Sequence, residues 1–118
     1  MSRKFYWYPN CGTCKKAKKW LDDNEVDYQE IHIVEQTPSK NELKSLVEKS
    51  GQPVKKFFNT SGKKYRELGL KDKLKEADED QMLEWLASDG MLIKRPILES
   101  EKKATVGFKP EIYEETWK

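Results

Sequence analysis

Long apolar runs are missing from this sequence of 118 residues. The longest, Phe5 to Tyr8, spans four positions, whereas a membrane helix needs about 20 and the core of a signal peptide about 7 to 15. Neither a membrane span nor an export leader is expected, and the reading places the protein in the cytoplasm. Glycine (6) and proline (5) are too scarce for a low-complexity linker. With no internal repeat either, the whole chain is expected to fold as one domain. An excess of charge of one sign is also absent: 23 basic against 21 acidic side chains leave a formal charge of +2, far from a field that would track phosphates. Lys71, Lys73 and Lys75 alternate with Asp72 and Glu76, a solvated helix face, so direct nucleic-acid binding is not expected. Gly12 alone makes no phosphate loop, so neither flavin nor nicotinamide has support and no cofactor is expected.

Cysteine is equally scarce. Only Cys11 and Cys14 occur, two residues apart, a spacing that in a chain without an export signal suggests redox chemistry or metal. A structural zinc site wants four ligands, and beyond the pair the chain offers one histidine, His32, in a strand pattern. No metal is expected.

What is present reads as an α/β domain. Lys4 to Tyr8 is short and aromatic and stops at the turn pair Pro9-Asn10, a buried strand. From Gly12 to Asn24 a helix is expected, with Cys14, Ala17 and Leu21 on one face. A second strand over residues 26–33 completes a βαβ unit, whose crossover is right-handed. Ser39 and Glu42 form a capping box ahead of a helix that Gly51 and Pro53 end. Several short helices follow between Val54 and Lys75. Asp78 caps another helix, which Gly90 is expected to close in a left-handed conformation. A hairpin of Ile97–Glu99 with Thr105–Phe108 and a last helix from Pro110 complete the order. Trp7, Trp20, Trp85 and Trp117 are read as packing residues.

The pair sits where strand meets helix. Thiolate, the reactive form, needs negative charge to be stabilised, and first-turn amides with about +0.5 charge of helix dipole supply that at Cys11. Cys14, one turn in, shares the apolar stripe. An exposed attacking Cys11 and a shielded resolving Cys14 follow, with Lys15 and Lys16 adding little through water.

The segment Phe5-Tyr6-Trp7-Tyr8-Pro9-Asn10-Cys11-Gly12-Thr13-Cys14 resembles the opening of the arsenate reductase-like family, which includes the Spx and MgsR regulators. Tyr65 to Leu70, Asp89-Gly90, Leu92 to Ile97 and Val106 to Pro110 are similar to its later motifs. The resemblance implies a thioredoxin-like, glutaredoxin-type mixed four-stranded sheet with an inserted helical lobe over about residues 38–90, and a cis proline, Pro96, facing the cysteines. It implies catalytic roles for Cys11, Cys14 and Arg95, and substrate binding by Gly12, Thr13, Pro96, Asn59 and Lys109. Asn59 and Lys109 stand where arsenate-binding members would place arginines, and lysine lacks the bidentate guanidinium fork. Two functions are implied: a thiol-disulfide oxidoreductase served by glutaredoxin, thioredoxin or a low-molecular-weight thiol, or a Spx-type redox-sensing regulator that binds the RNA polymerase α subunit without catalysis.

Overall fold

The structure is a computed structural model and describes residues 3–118. Strands β1 (Lys4–Trp7), β2 (Gln29–His32), β3 (Ile97–Glu99) and β4 (Ala104–Val106) form one mixed sheet in the order β2-β1-β3-β4. The β1–β2 pair is parallel, joined by helix α1 (Gly12–Asp23), and the two remaining pairs are antiparallel. Between β2 and β3 lie α2 (Lys40–Ser50), α3 (Lys63–Glu67), α4 (Leu70–Lys73) and α5 (Glu79–Ser88), with 3-10 turns at Val54–Phe57 and Gly90–Leu92, and α6 (Pro110–Trp117) ends the chain. The expected order of βαβ, helices, ββα is the one found.

Side chains alternate across a strand, and this splits the core in two. Phe5 and Leu98 face α1 and α6, where they meet Ala17, Leu21, Tyr113 and Trp117. Their neighbours Tyr6 and Ile97 face the other way, onto Leu43 and Leu46 of α2 and Leu83 and Leu86 of α5. The stripe of Cys14, Ala17 and Leu21 is wholly buried, which fixes the rotation of α1 on the sheet. Trp117 is buried, and Trp7, Trp20 and Trp85 pack at the margins of the two clusters.

The caps are those the sequence announces. Ser39 Oγ accepts from the Glu42 amide at 3.2 Å while Glu42 Oε1 accepts from the Ser39 amide at 3.0 Å, and Gly51 closes α2 at φ +69°. Asp78 Oδ1 accepts from the Gln81 amide at 2.8 Å.

Three local expectations are corrected. Gly90 does not close α5 in a left-handed conformation; α5 ends at an extended Asp89 (φ −159°, ψ 117°) and Gly90 opens the next 3-10 turn. A Cβ at Gly90 would stand 2.1 Å from the Ile33 carbonyl oxygen, so the residue is glycine for close backbone approach. The second strand is shorter than 26–33 because Glu25 adopts φ +56° and the Val26 amide folds back on the Leu21 carbonyl at 2.9 Å. The last strand starts at Ala104 and ends at Val106, since Gly107 leaves extended geometry at φ +80°. No helix among the described residues is long and apolar enough to cross a membrane.

Candidate functional site

Strand β1 delivers the chain to a turn over Tyr8, Pro9, Asn10 and Cys11, closed by the Cys11 amide donating to the Tyr8 carbonyl at 3.0 Å. The turn leaves Cys11 as N-cap of α1 in an extended conformation (φ −92°, ψ 118°). In that position its sulfur takes the place of a capping oxygen: Sγ accepts from the Cys14 amide at 3.4 Å. Burial opposes ionisation of Cys11. Hydrogen bonds from the Cys14 thiol and amide, the positive charge of the Arg95 guanidinium and a hydrogen bond from the Thr13 amide outweigh it, and the thiol ionises below its ordinary value.

Cys14 is the opposite case. It has no exposed surface, and burial pushes its pKa up to about 12, with the neighbouring Cys11 sulfur adding to the effect. Both cysteines are free thiols in the structure. The pair therefore holds one half-exposed sulfur ready to carry charge and one enclosed sulfur that keeps its proton.

The cation that acts on Cys11 is Arg95, which arrives from the distant segment before β3. Its guanidinium lies 5.1 Å from the centre of the Tyr8 ring, an aromatic face presented by the same turn that carries Cys11. Nη1 donates to the Ile93 carbonyl at 3.3 Å, and Nε is buried with no hydrogen-bond partner. Lys15 and Lys16 are exposed and do not figure among the influences on the Cys11 thiol. The Arg95–Pro96 bond is cis, as the resemblance implied, and Pro96 is buried.

One cleft of about 850 Å³ collects Cys11, Thr13, Asn59, Arg95 and Lys109 from four separate segments. Gly12 is exposed at the first turn of α1, and Cys14 and Pro96 are buried and do not line the cleft. Sequence reasoning missed Tyr8 as the platform for Arg95, and it missed Lys49, Lys56, Lys94 and Lys103, which line the same cleft. Lys94 could have been suspected, since it directly precedes Arg95-Pro96. The other three stand on α2, on a 3-10 turn and in the β3–β4 turn, where nothing local marks them. His32 accepts the amides of Val34 and Glu35 at Nδ1, 3.3 and 3.2 Å away, and so closes the turn after β2.

Known proteins are similar to this chain over most of its length. An uncharacterized protein of Bacillus subtilis, YusI, is 64% identical over 117 residues, covering 99% of both chains. The regulatory protein MgsR of the same species is 31% identical over 106 residues, covering 90% of this chain and 82% of the relative. The crystal structure of a possible arsenate reductase from Streptococcus mutans superposes with a TM-score of 0.84 at 49% identity, over 91% of each chain. The fold is the thioredoxin-like one of these structures. The sequence profile of the ArsC family matches residues 6–116, with both cysteines and strands β2, β3 and β4 wholly within it, and to that family the chain belongs.

Proposed function

We propose that the protein is a thiol-disulfide oxidoreductase in which Cys11 attacks and Cys14 resolves. The observation that carries this reading is the split between the two thiols: Cys11 lowered and open to the cleft, Cys14 buried and raised to about 12. The Cys11 thiolate attacks one sulfur of a substrate disulfide, forms a mixed disulfide and expels the other sulfur as a thiolate. Cys14 then attacks Cys11 Sγ, its proton passing to the second substrate sulfur as that sulfur departs as a thiol, and a Cys11–Cys14 disulfide is left. Two electrons pass from the dithiol to the substrate. Glutaredoxin, thioredoxin or a low-molecular-weight thiol in the cytoplasm restores the dithiol.

In this scheme Arg95 holds an anionic group next to the attacking sulfur, Gly12 and Thr13 offer first-turn amides, and Pro96, Asn59 and Lys109 bound the substrate. Arsenate is not proposed as the substrate, because an oxyanion clamp of guanidinium forks has only Arg95 in this cleft, with Asn59 and Lys109 in the other places.

Alkylation of the reduced protein as a function of pH tests the reading. Cys11 is expected to reach half-maximal reactivity below the ordinary thiol value of 9.0, while Cys14 stays unmodified through pH 10. Mild oxidant is expected to join the two sulfurs in one chain, read by intact mass. A Cys11 that titrates as an ordinary thiol, or oxidation that yields only intermolecular dimers, overturns it. One observation favours a second reading as a redox-sensing regulator, the 31% identity to the regulatory protein MgsR. Retention of the RNA polymerase α subunit by the oxidised chain but not the reduced one would select that reading; equal or no retention counts against it.

A further inference from the structure

We propose that the cleft beside Cys11 is a docking track for an extended, acidic polypeptide segment carrying the sulfur to be reduced, and that this segment pairs with the open edge of β4. The inference rests on the thiol-disulfide reading above and names its substrate class.

The first observation is the edge itself. Strand β4 is last in the sheet order, with β3 on one side only. The Ser100 amide donates to the Lys103 carbonyl and the Gly107 amide to the Pro96 carbonyl, each at 2.8 Å, and Leu98 lies opposite Thr105. In an antiparallel ladder hydrogen-bonded and non-bonded pairs alternate, so Lys103, Thr105 and Gly107 spend their peptide groups on β3. Those of Ala104 and Val106 point outward. Both residues line the cleft; Val106 is half-buried and accessible, whereas Ala104 is buried. An edge strand with outward amides and carbonyls at every second residue is what an added strand recognises.

The second observation is charge. The cleft is lined by Lys49, Lys56, Lys94, Arg95, Lys103 and Lys109 and by no carboxylate. Lys49 is committed to Glu99 at 2.8 Å. None of the other five forms an ion pair among the described residues, although the Lys103 ammonium donates to the Thr116 carbonyl and lies over the Trp117 ring. The chain as a whole carries only +2, so the positive potential is gathered where the substrate must enter. The buried, unpartnered Nε of Arg95 lies at the sulfur end of this track.

Extent decides the occupant. A cleft of about 850 Å³ is in the range that encloses ligands far larger than a tetrahedral oxyanion. Cations spread from Lys109 to Lys103 ask for negative charges spread along a backbone. A small acidic thiol would meet the cations near Cys11 and leave the outward peptide groups of β4 unused. Complementary charge along an extended segment adds specificity and faster encounter.

The test follows release of pyridinethione when the reduced full-length chain meets cysteine peptides activated as thiopyridyl disulfides. Five probes are compared: a short acidic peptide, its glutamate-to-lysine analogue, the acidic peptide N-methylated at alternate residues in each of the two registers, and the thiopyridyl adduct of glutathione. Neutral 2,2′-dithiodipyridine reports the thiol itself. The acidic peptide is expected to react at least about tenfold faster than its lysine analogue at low salt, with the advantage vanishing near 1 M salt. N-methylation in one register is expected to slow it several-fold and in the other to leave it unchanged. In the doubly substituted Lys56→Glu, Lys103→Glu chain the acidic preference is expected to fall to near unity. Equal rates for acidic and lysine peptides, indifference to both N-methyl registers, or a glutathione adduct that matches the acidic peptide would each overturn the docking track. If dithiodipyridine itself fails to react at Cys11, the thiol-disulfide reading falls instead, and the two failures are told apart.

Discussion

Cys11→Ser is expected to abolish disulfide reduction, a fall of more than about a thousandfold, because a hydroxyl is not ionised at neutral pH and cannot take the place of a thiolate nucleophile. Cys14→Ser separates the two steps. The first attack needs only Cys11, so a mixed disulfide should form at an undiminished or modestly altered rate and then persist, visible as the substrate's mass added to the intact chain. Turnover in the wild type and accumulation in Cys14→Ser together identify a resolving thiol. Unaltered reduction in Cys11→Ser, or an adduct that forms on Cys14 in that variant as fast as on Cys11 in the wild type, would remove the proposed division of labour.

The same pair sets two opposite pH trends. Folding lowers the pKa of Cys11, so its ionised form stabilises the native state. That contribution is present above the unfolded thiol value and is lost as pH falls through the lower native one. Reactivity declines over the same interval as the thiolate is protonated. Folding raises Cys14 to about 12, so the protonated thiol is the form the fold prefers, and its contribution declines as pH climbs from the ordinary 9.0 toward 12.

Much of this arrangement is legible in the sequence because its determinants are local. The placement of Cys11 on a helix start follows from Pro9-Asn10 ahead of it and from the Cys14, Ala17, Leu21 stripe behind it. The caps at Ser39 and Asp78 are equally local, since one side chain and an amide three residues on make each. What escapes such reading depends on contacts between distant segments. The cationic influence on Cys11 is not from Lys15 or Lys16, adjacent in sequence, but from Arg95, which the sheet brings onto the Tyr8 ring. Lysines from α2, a 3-10 turn and the β3–β4 turn share a cleft only once α2 has packed against the sheet. The family resemblance pointed to Arg95 and Pro96, whereas periodicity and composition had no means of doing so.

Gly90 shows the same dependence in its sharpest form, and Gly90→Ala is expected to destabilise the protein by at least about 3 kcal/mol, above the usual range for a single substitution. After a serine and an aspartate at the end of a helical stripe, glycine suggests a left-handed cap, a position where alanine costs little more than local strain. In the fold the reason is different. An alanine Cβ would lie 2.1 Å from the Ile33 carbonyl oxygen, 2.8 Å from its carbon and 2.9 Å from the Val34 Cα. All three are backbone atoms at the exit of β2, with no flexible side chain to give way. Relief therefore requires moving the Gly90–Leu92 turn away from β2, and that turn leads through Ile93 and Lys94 directly into Arg95-Pro96. The Lys94 amide is tied to the Phe57 carbonyl at 2.7 Å, so the displacement is resisted from the other side as well. Gly12→Ala is the control, since no atom stands within 4 Å of its added Cβ, and its unfolding free energy from urea titration is expected within about 0.5 kcal/mol of the wild type. In the Gly90 variant a retreat of Arg95 from Cys11 should also raise the pH of half-maximal alkylation. An unfolding midpoint equal to that of the wild type would show that β2 and the turn before Arg95 do not meet as closely as described, and the positioning of Arg95 would need another cause.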